Sequence, residues 1–325
     1  MIVETKHPIL AASMNHVSEA NLAIACSKAG ILPSISILCF IDKSKGKVDI
    51  QGFEKDLKKF NQETGSSDLC VSIGSKSLLA PKMIEEFRRI LSEVNYSHIE
   101  LLITKPLELP NDRLSEKDIE LFDTLKKTLD YIIGEKDIKI IYKAIDVFSV
   151  IELETKYGAD FFDSYMLKGP TAAGTVSSRY NKSITLYDMM DKVWQVHPNA
   201  SLIACGGISD HSQISDYLQI GAEAVAIGTV LAASKESVLS DTAKNQYIEK
   251  QYEDVQKING SYTGNQNGIF FSKINGFDDR NNTMSLLKGI ATGNEGHLFA
   301  GGAISGINEI LSVQDIVNNL TDVDI

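Results

Sequence analysis

The sequence predicts an α/β fold, a (β/α)8 TIM barrel carrying a C-terminal helical and loop extension. Three observations predict it. Eight short runs rich in Ile and Val precede residue 230, separated by segments of helical period. Most runs are apolar on successive residues, as strands covered on both faces must be. Strict alternation of strand and helix makes a parallel sheet, and eight strands are the number that close a barrel. A doubly wound open sheet is the structural alternative, although it rarely needs eight consecutive units.

In chain order the expected strands are 8–13, 30–38, 69–74, 98–104, 138–145, 159–168, 201–205 and 223–228. Helix punctuation separates them. Ser18 is expected to cap a helix whose Leu22, Ala23, Cys26 and Ala29 form one apolar stripe, with Gly30 ending it in the left-handed conformation. Ile119, Phe122, Leu125 and Leu129 repeat at helical spacing after Ser115. Ser209 or Asp210, together with Gly221, brackets a helix carrying Ile214, Tyr217 and Leu218.

After Leu231 the pattern changes. Residues 236–255 read as helical and charged, whereas 257–280 is rich in Gly, Asn and aromatics and contains Lys-Ile-Asn-Gly twice. Two copies of a turn-like tetrapeptide do not make a repeat architecture. This stretch reads as an excursion, a hairpin or a lid, before a Gly-rich loop and helix return over 289–320. The expected organisation is a barrel over 1–235 and, over 236–325, an excursion with a closing loop and helix packed on the barrel mouth.

The chain has 325 residues, 43% of them apolar, and a formal charge of 32 − 43 = −11. That sign repels phosphate backbones and anionic lipid, so the expected partner is a small molecule, with no nucleic acid and no membrane. Homo-oligomerisation is left open. Cys26, Cys39, Cys70 and Cys205 lack metal or redox spacing and read as reduced core thiols, and no metal site is expected. The longest uncharged segment, 29–41, contains Pro33 and is too short to span a bilayer. With Glu4 where a leader would carry a basic run, the expected location is cytoplasmic.

In such a barrel the active site lies at the C-terminal ends of the strands, and phosphate often binds after strands seven and eight. Strand seven opens into Gly206-Gly207-Ile208-Ser209 and strand eight into Gly228-Thr229, each at a helix start. Glycines let backbone N–H groups approach an anion, and the Thr229 hydroxyl adds a further bond. Either loop alone could be only a tight turn; the two in register point to one phosphate held between them.

These residues resemble a family. The stretch ACGGISDHSQISDYLQIGAEAVAIGTVLAAS is similar to the phosphate-binding segment of the FMN-dependent nitronate monooxygenases and of the related flavin enoyl-acyl-carrier-protein reductases. HPILAASM followed by SKAGILPSIS resembles the family's opening, and HLFAGGAISGINEI resembles its end more loosely. The resemblance implies FMN as cofactor, with Ala12, Ser13 and Met14 against the flavin. Ser72 falls where the family commonly has a flavin-bonding Asn. It also implies a cofactor role for Gly174, Gly206, Gly207, Gly228 and Thr229. Lys143 and Lys168, ending strands five and six, are expected to point into the mouth, where a cation stabilises an anionic reduced flavin. A salt bridge or a solvated tip is the plainer reading of either lysine.

One departure matters. The family's Gly-x-Glu-Ala-Gly-Gly-His loop, whose His removes the proton α to a nitro group, reads Gly169-Pro170-Thr171-Ala172-Ala173-Gly174-Thr175 here. Thr175 stands in the histidine's place, and a hydroxyl is no general base near neutral pH without an activating neighbour. His16, His211 and His297 offer partial substitutes, a surface or capping role being the plainer reading of each. The candidate catalytic residues are Thr175, Lys168, Lys143 and His297.

Four functions are consistent with these residues. The first is FMN-dependent oxidation of alkyl nitronates with O2. The second is NAD(P)H-dependent, FMN-mediated reduction of a quinone or an enoyl thioester, which needs no proton-abstracting histidine; no G-x-G-x-x-G follows a strand to support the nucleotide. The third is a non-redox phosphate-binding barrel with a Schiff-base lysine, and the fourth a degenerate barrel kept for binding.

Overall fold

The protein is described by a computed structural model over residues 2–42, 47–103, 107, 113–158, 161–177, 184–259, 265–271 and 279–321. Eight parallel strands occupy the expected runs: β1 (Ile9–Ala11), β2 (Ser34–Ser36), β3 (Cys70–Gly74), β4 (His98–Leu102), β5 (Lys139–Ala144), β6 (Ser164–Lys168), β7 (Leu202–Cys205) and β8 (Ala224–Ile227). Thr104 and Ala159, at the ends of two expected runs, lie outside the described residues. Each strand pairs with the next around the sheet, and β1 pairs with β8. A bridge between Leu10 and Leu32, with Leu32 N donating to Ile9 O and Ala11 N to Leu32 O, closes the barrel between β1 and β2. Open-sheet topology is thereby excluded.

Side chains on a strand alternate between its two faces, which gives two cores. Outward residues such as Val71, Ile99, Tyr142, Tyr165, Leu202 and Val225 meet the helices; Phe122 packs edge-on against Tyr142, and Phe162, just before β6, lies tilted against it. Inward residues Leu10, Cys70, Ile141, Met166, Ile203 and Ala224 fill the barrel. Ile2 and Val3 join this inner core; Ile2 N donates to Glu223 Oε2, and Ile2 O bonds His98 Nε2 at 2.6 Å. By the same alternation the inward positions nearest the C-terminal ends are Ser72, Glu100, Lys143, Lys168 and Cys205.

The covering helices are α1 (Ala20–Lys28), α2 (Ile50–Thr64), α3 (Pro81–Glu93), α4 (Glu116–Ile133), α5 (Val147–Tyr157), α6 (Leu186–Val196), α7 (His211–Gln219) and the one-turn α8 (Thr229–Ala232). Asp49, Ser115, Asp146, Thr185 and Asp210 cap five of them by accepting from first-turn N–H groups. Ser18 does not cap α1, whose N-cap is Glu19 with no side-chain bond. Its hydroxyl instead accepts from Met14 N at 2.8 Å, bracing the loop after β1. Gly30 does take the left-handed conformation, at φ +80°.

Three further helices follow, α9 (Asp241–Glu249), α10 (Asp279–Thr292) and α11 (Val313–Thr321). The excursion holds a hairpin: Gln256–Asn259 pairs antiparallel with Asn265–Phe270. Along its other edge, Asn265–Phe270 pairs first with Gly174–Val176, from the loop after β6, and then with His297–Phe299. The second Lys-Ile-Asn-Gly and Gly260 of the first lie outside the described residues. No described helix is long and apolar enough to cross a membrane.

Candidate active site

Inside the barrel, just below its C-terminal mouth, four strand ends deliver polar groups into an apolar enclosure. Lys143 Nζ lies 3.3 and 3.4 Å from the two oxygens of Glu100, both side chains being almost wholly buried. It also donates to Ser13 Oγ at 2.8 Å and to Ser13 O at 3.1 Å. Ser13 Oγ and Ser72 Oγ both donate to Glu100 Oε1, the latter at 2.9 Å. The three protons of the ammonium thus meet Ser13 O, Ser13 Oγ and Glu100, and the cluster is internally closed. A buried charge persists only with such pairing.

Lys168 differs. It is 9% exposed, and among the described residues its Nζ donates only to Ala173 O, at 2.9 Å, in the loop that follows β6. Burial, and then the nearby Lys143 cation, lower its pKa from 10.5 to about 8, against the opposing pull of Cys205 and Glu100. Two lysines against one glutamate leave the cluster one positive charge in excess. The Cys205 thiol, across the β6–β7 register from Lys168, is pushed up by burial.

The loops above this cluster form one packed unit. Gly206 and Gly207 have φ of +120° and +77°, and a Cβ on them would meet Ala172 Cβ at 2.7 Å and Thr171 Oγ1 at 2.6 Å. Close packing on the β6 loop therefore requires both glycines, whatever else they hold. Gly228 is under no such demand: its Cβ would make ordinary contact with Ala12 and Met14 at 3.6 Å. Segment 300–306 closes the group, with Gly302 N donating to Thr171 O at 2.8 Å and Gly301 N to Thr229 Oγ1 at 3.3 Å.

Thr175 lies in the strand Gly174–Val176, and its Oγ1 accepts from Gln266 Nε2 at 2.9 Å. Beside it, buried Asn267 donates Nδ2 to Pro170 O and Ala172 O, both at 2.9 Å. Sequence reasoning leaves out Glu100, Gln266 and Asn267. For Glu100 a signal existed, since a carboxylate within the apolar run HIELL must find a cation. For the other two none did, because their role comes from pairing across about ninety residues.

The structure brings Ser13, Ser72 and Lys143 together around Glu100, with Lys168 coupled to them, and gathers Gly206, Gly207 and Thr229 under the closing loop. It sets His297 elsewhere. That imidazole is wholly buried in the excursion, stacked on Phe270, edge-on to Phe299 and 2.9 Å from Ser285 Oγ, with a pKa lowered to about 4 by burial. His211 Nδ1 bonds Leu320 O at 3.0 Å, tying α7 to α11. His16 sits in the loop after β1 with a φ of +58°.

The nitronate monooxygenase family model matches residues 1–322. The chain belongs to the nitronate monooxygenase family. FabK from Thermotoga maritima is similar to it at 20% identity and a TM-score of 0.73, with 98% of this chain and 93% of that one covered. A methionine-to-alanine variant of the same protein gives 21%, 0.72, 98% and 92%. Nitroalkane oxidase from Streptomyces ansochromogenes gives 16%, 0.66, 97% and 95%. No curated protein matches the chain. The family is one of FMN-dependent oxidoreductases on a (β/α)8 barrel, and the solved structures share that barrel.

The residues present fit FMN by their chemistry. An excess buried cation suits an electron-rich ring or anion, and glycine loops free of side chains over β7 and β8 suit a phosphate. Gly206, Gly207, Gly228 and Thr229 would hold the phosphate end; Ala12, Ser13, Met14 and Lys168 would meet the ring.

Proposed function

We propose that the protein is an FMN-dependent reductase that draws a hydride from NAD(P)H and delivers it to an electron-poor double bond, that of an enoyl thioester or a quinone. The observation that carries this reading is Thr175. At the position where the resembling family keeps its proton-abstracting histidine, the side chain is a hydroxyl accepting from the Gln266 amide, with no imidazole or carboxylate bonded to it among the described residues. Removal of a proton α to a nitro group needs a base; hydride transfer does not.

FMN, when bound, supplies the hydride chemistry. The chain's own contribution is positional and electrostatic. The closed Glu100–Lys143–Ser13–Ser72 cluster fixes the ends of β1, β3, β4 and β5 and presents a rigid polar floor. Lys168 adds a positive charge where negative charge would accumulate on reduction. The loops of 169–175, 206–207 and 300–306 exclude water from above through their mutual packing.

The competing reading, oxidation of nitronates, is favoured by the matched family's description. Nitronates are already deprotonated, so they do not require the missing base either. Anaerobic titration of the FMN-loaded protein separates the two. Bleaching by NADH or NADPH, followed by reoxidation with crotonyl-pantetheine or a quinone, is the expected result. Bleaching by ethyl nitronate alone would replace this reading with the competing one, and protein that takes up no FMN would end both.

A further inference from the structure

Resting on the reductase reading above, we propose that Lys168 is the proton donor of the reaction: its ammonium, enclosed at the end of β6 and held, among the described residues, by the one acceptor Ala173 O, protonates the α-carbon of an α,β-unsaturated thioester as the hydride reaches the β-carbon. The geometry distinguishes the two lysines of the mouth. Lys143 has every N–H turned to Ser13 or Glu100, and moving a proton from it would break a closed ion pair. Lys168 has two N–H groups that no described protein atom accepts, on a side chain more than nine-tenths buried. A buried, incompletely bonded donor at the mouth of a barrel is completed when a bound molecule accepts from it, and that places its proton at the reacting atoms.

The hydride brings two electrons to the β-carbon, and the C=C π pair moves to the α-carbon and the thioester oxygen. One N–H bond of Lys168 then breaks with its electron pair left on Nζ, and the proton bonds the α-carbon. The neutral amine regains a proton from solvent, and the reductant is the nicotinamide nucleotide that recharges the flavin.

The charged and titratable groups facing Lys168 are Lys143 from β5, Glu100 from β4 and Cys205 from β7. Desolvation and Lys143 disfavour the ammonium, Glu100 and Cys205 favour it, and the first pair prevails, which brings Lys168 near 8. A donor with that ionisation is charged at neutral pH and gives up its proton readily.

The test uses Lys168→Arg, which keeps the positive charge but does not release a proton near neutrality, with Lys168→Gln as a second variant should the arginine not fit. The first readout needs neither FMN nor turnover: reductive 13C-methylation of the free chain, followed by NMR titration. One dimethyl-lysine resonance titrating near pH 8 and missing from both variants is expected; Lys168 titrating above 10 would overturn the proposal. The second is stopped-flow on the FMN-loaded chains. Either variant should slow reoxidation by crotonyl-pantetheine at least about 100-fold more than it slows bleaching by the nucleotide, with loss of the alkaline limb near pH 8. Equal slowing of both half-reactions, or a retained limb, would overturn the proton-donor role while leaving the reductase reading intact. A chain that is not bleached by NAD(P)H would overturn that reading and the proposal with it.

Discussion

Glu100 and Lys143 are buried inside the barrel, and each is tolerable there because of the other. Truncating one partner leaves the other without its hydrogen-bonded counter-charge, at a cost of about 3–5 kcal/mol. Lys143→Met should therefore lower the stability read from urea unfolding by that amount, whereas Glu100→Leu combined with Lys143→Met should regain more than half of it. A double variant as unstable as the single one would mean that the pair is not what holds these strand ends. His297 yields a second expectation at this scale. Its folded pKa, about 4, lies below the unfolded 6.5, so between those values the unfolded chain binds more protons and stability rises with pH. The penalty is complete below about pH 4 and gone above about 6.5, reaching roughly 2–3 kcal/mol at pH 4.5. His297→Leu should lose that much of the acid sensitivity between pH 7 and 4.5 in urea titrations; parallel curves for the two chains would contradict a buried neutral imidazole. Both lysines at the strand ends were legible in the sequence because a strand end in a barrel has a known destination. Glu100 carried a signal too, a lone carboxylate inside the apolar run HIELL, but its partner is set by the sheet register and not by local sequence.

The elements divide by the range of the interactions that form them. All eight barrel strands were legible, since each is a short apolar run with its own punctuation, and their order follows from connecting neighbours through helices. Of the four-stranded antiparallel sheet only the hairpin was legible. Its central strand, Asn265–Phe270, reads NQNGIF, without the alternation that marks a half-buried strand, and one of its partners is the loop after β6. Pairing over that separation leaves no local trace. The same remoteness makes the sheet consequential, because the two Asn267 bonds to Pro170 O and Ala172 O fix the curve of a loop at the site. Asn267→Ala leaves two buried carbonyls without that donor, at about 1–3 kcal/mol each. The expected outcome is a loss of about 2–6 kcal/mol with faster hydrogen exchange concentrated in residues 169–176; exchange that rises evenly over the whole chain would show that Asn267 stabilises the fold without shaping that loop.

At the scale of the molecule, the eighth β/α unit is divided. The helix after β8 has a single turn, too short to cover the gap between α7 and α1, and α11, some eighty residues later, packs against both. Val313, Ile316, Val317 and Leu320 are its buried face. Lys235 N donates to Leu311 O, Val313 N to Glu236 Oε2, and His211 bonds Leu320 O, so the return is tied at both ends. The excursion over 236–312 is accordingly an insertion within the eighth unit, and a cut at 235 severs a barrel helix as well as an appendage. Burying four such side chains is worth about 1.5–3 kcal/mol each at the upper bound, which is comparable to the whole stability of an ordinary domain. A chain ending at residue 312 should thus lose at least about 4 kcal/mol and bind a hydrophobic dye at its exposed α1 and α7 faces, and a chain ending at residue 235 should show no cooperative melt by near-ultraviolet circular dichroism. If residues 1–235 instead melt cooperatively with native-like tertiary signal, the barrel closes without α11, and the C-terminal ninety residues act on the mouth alone.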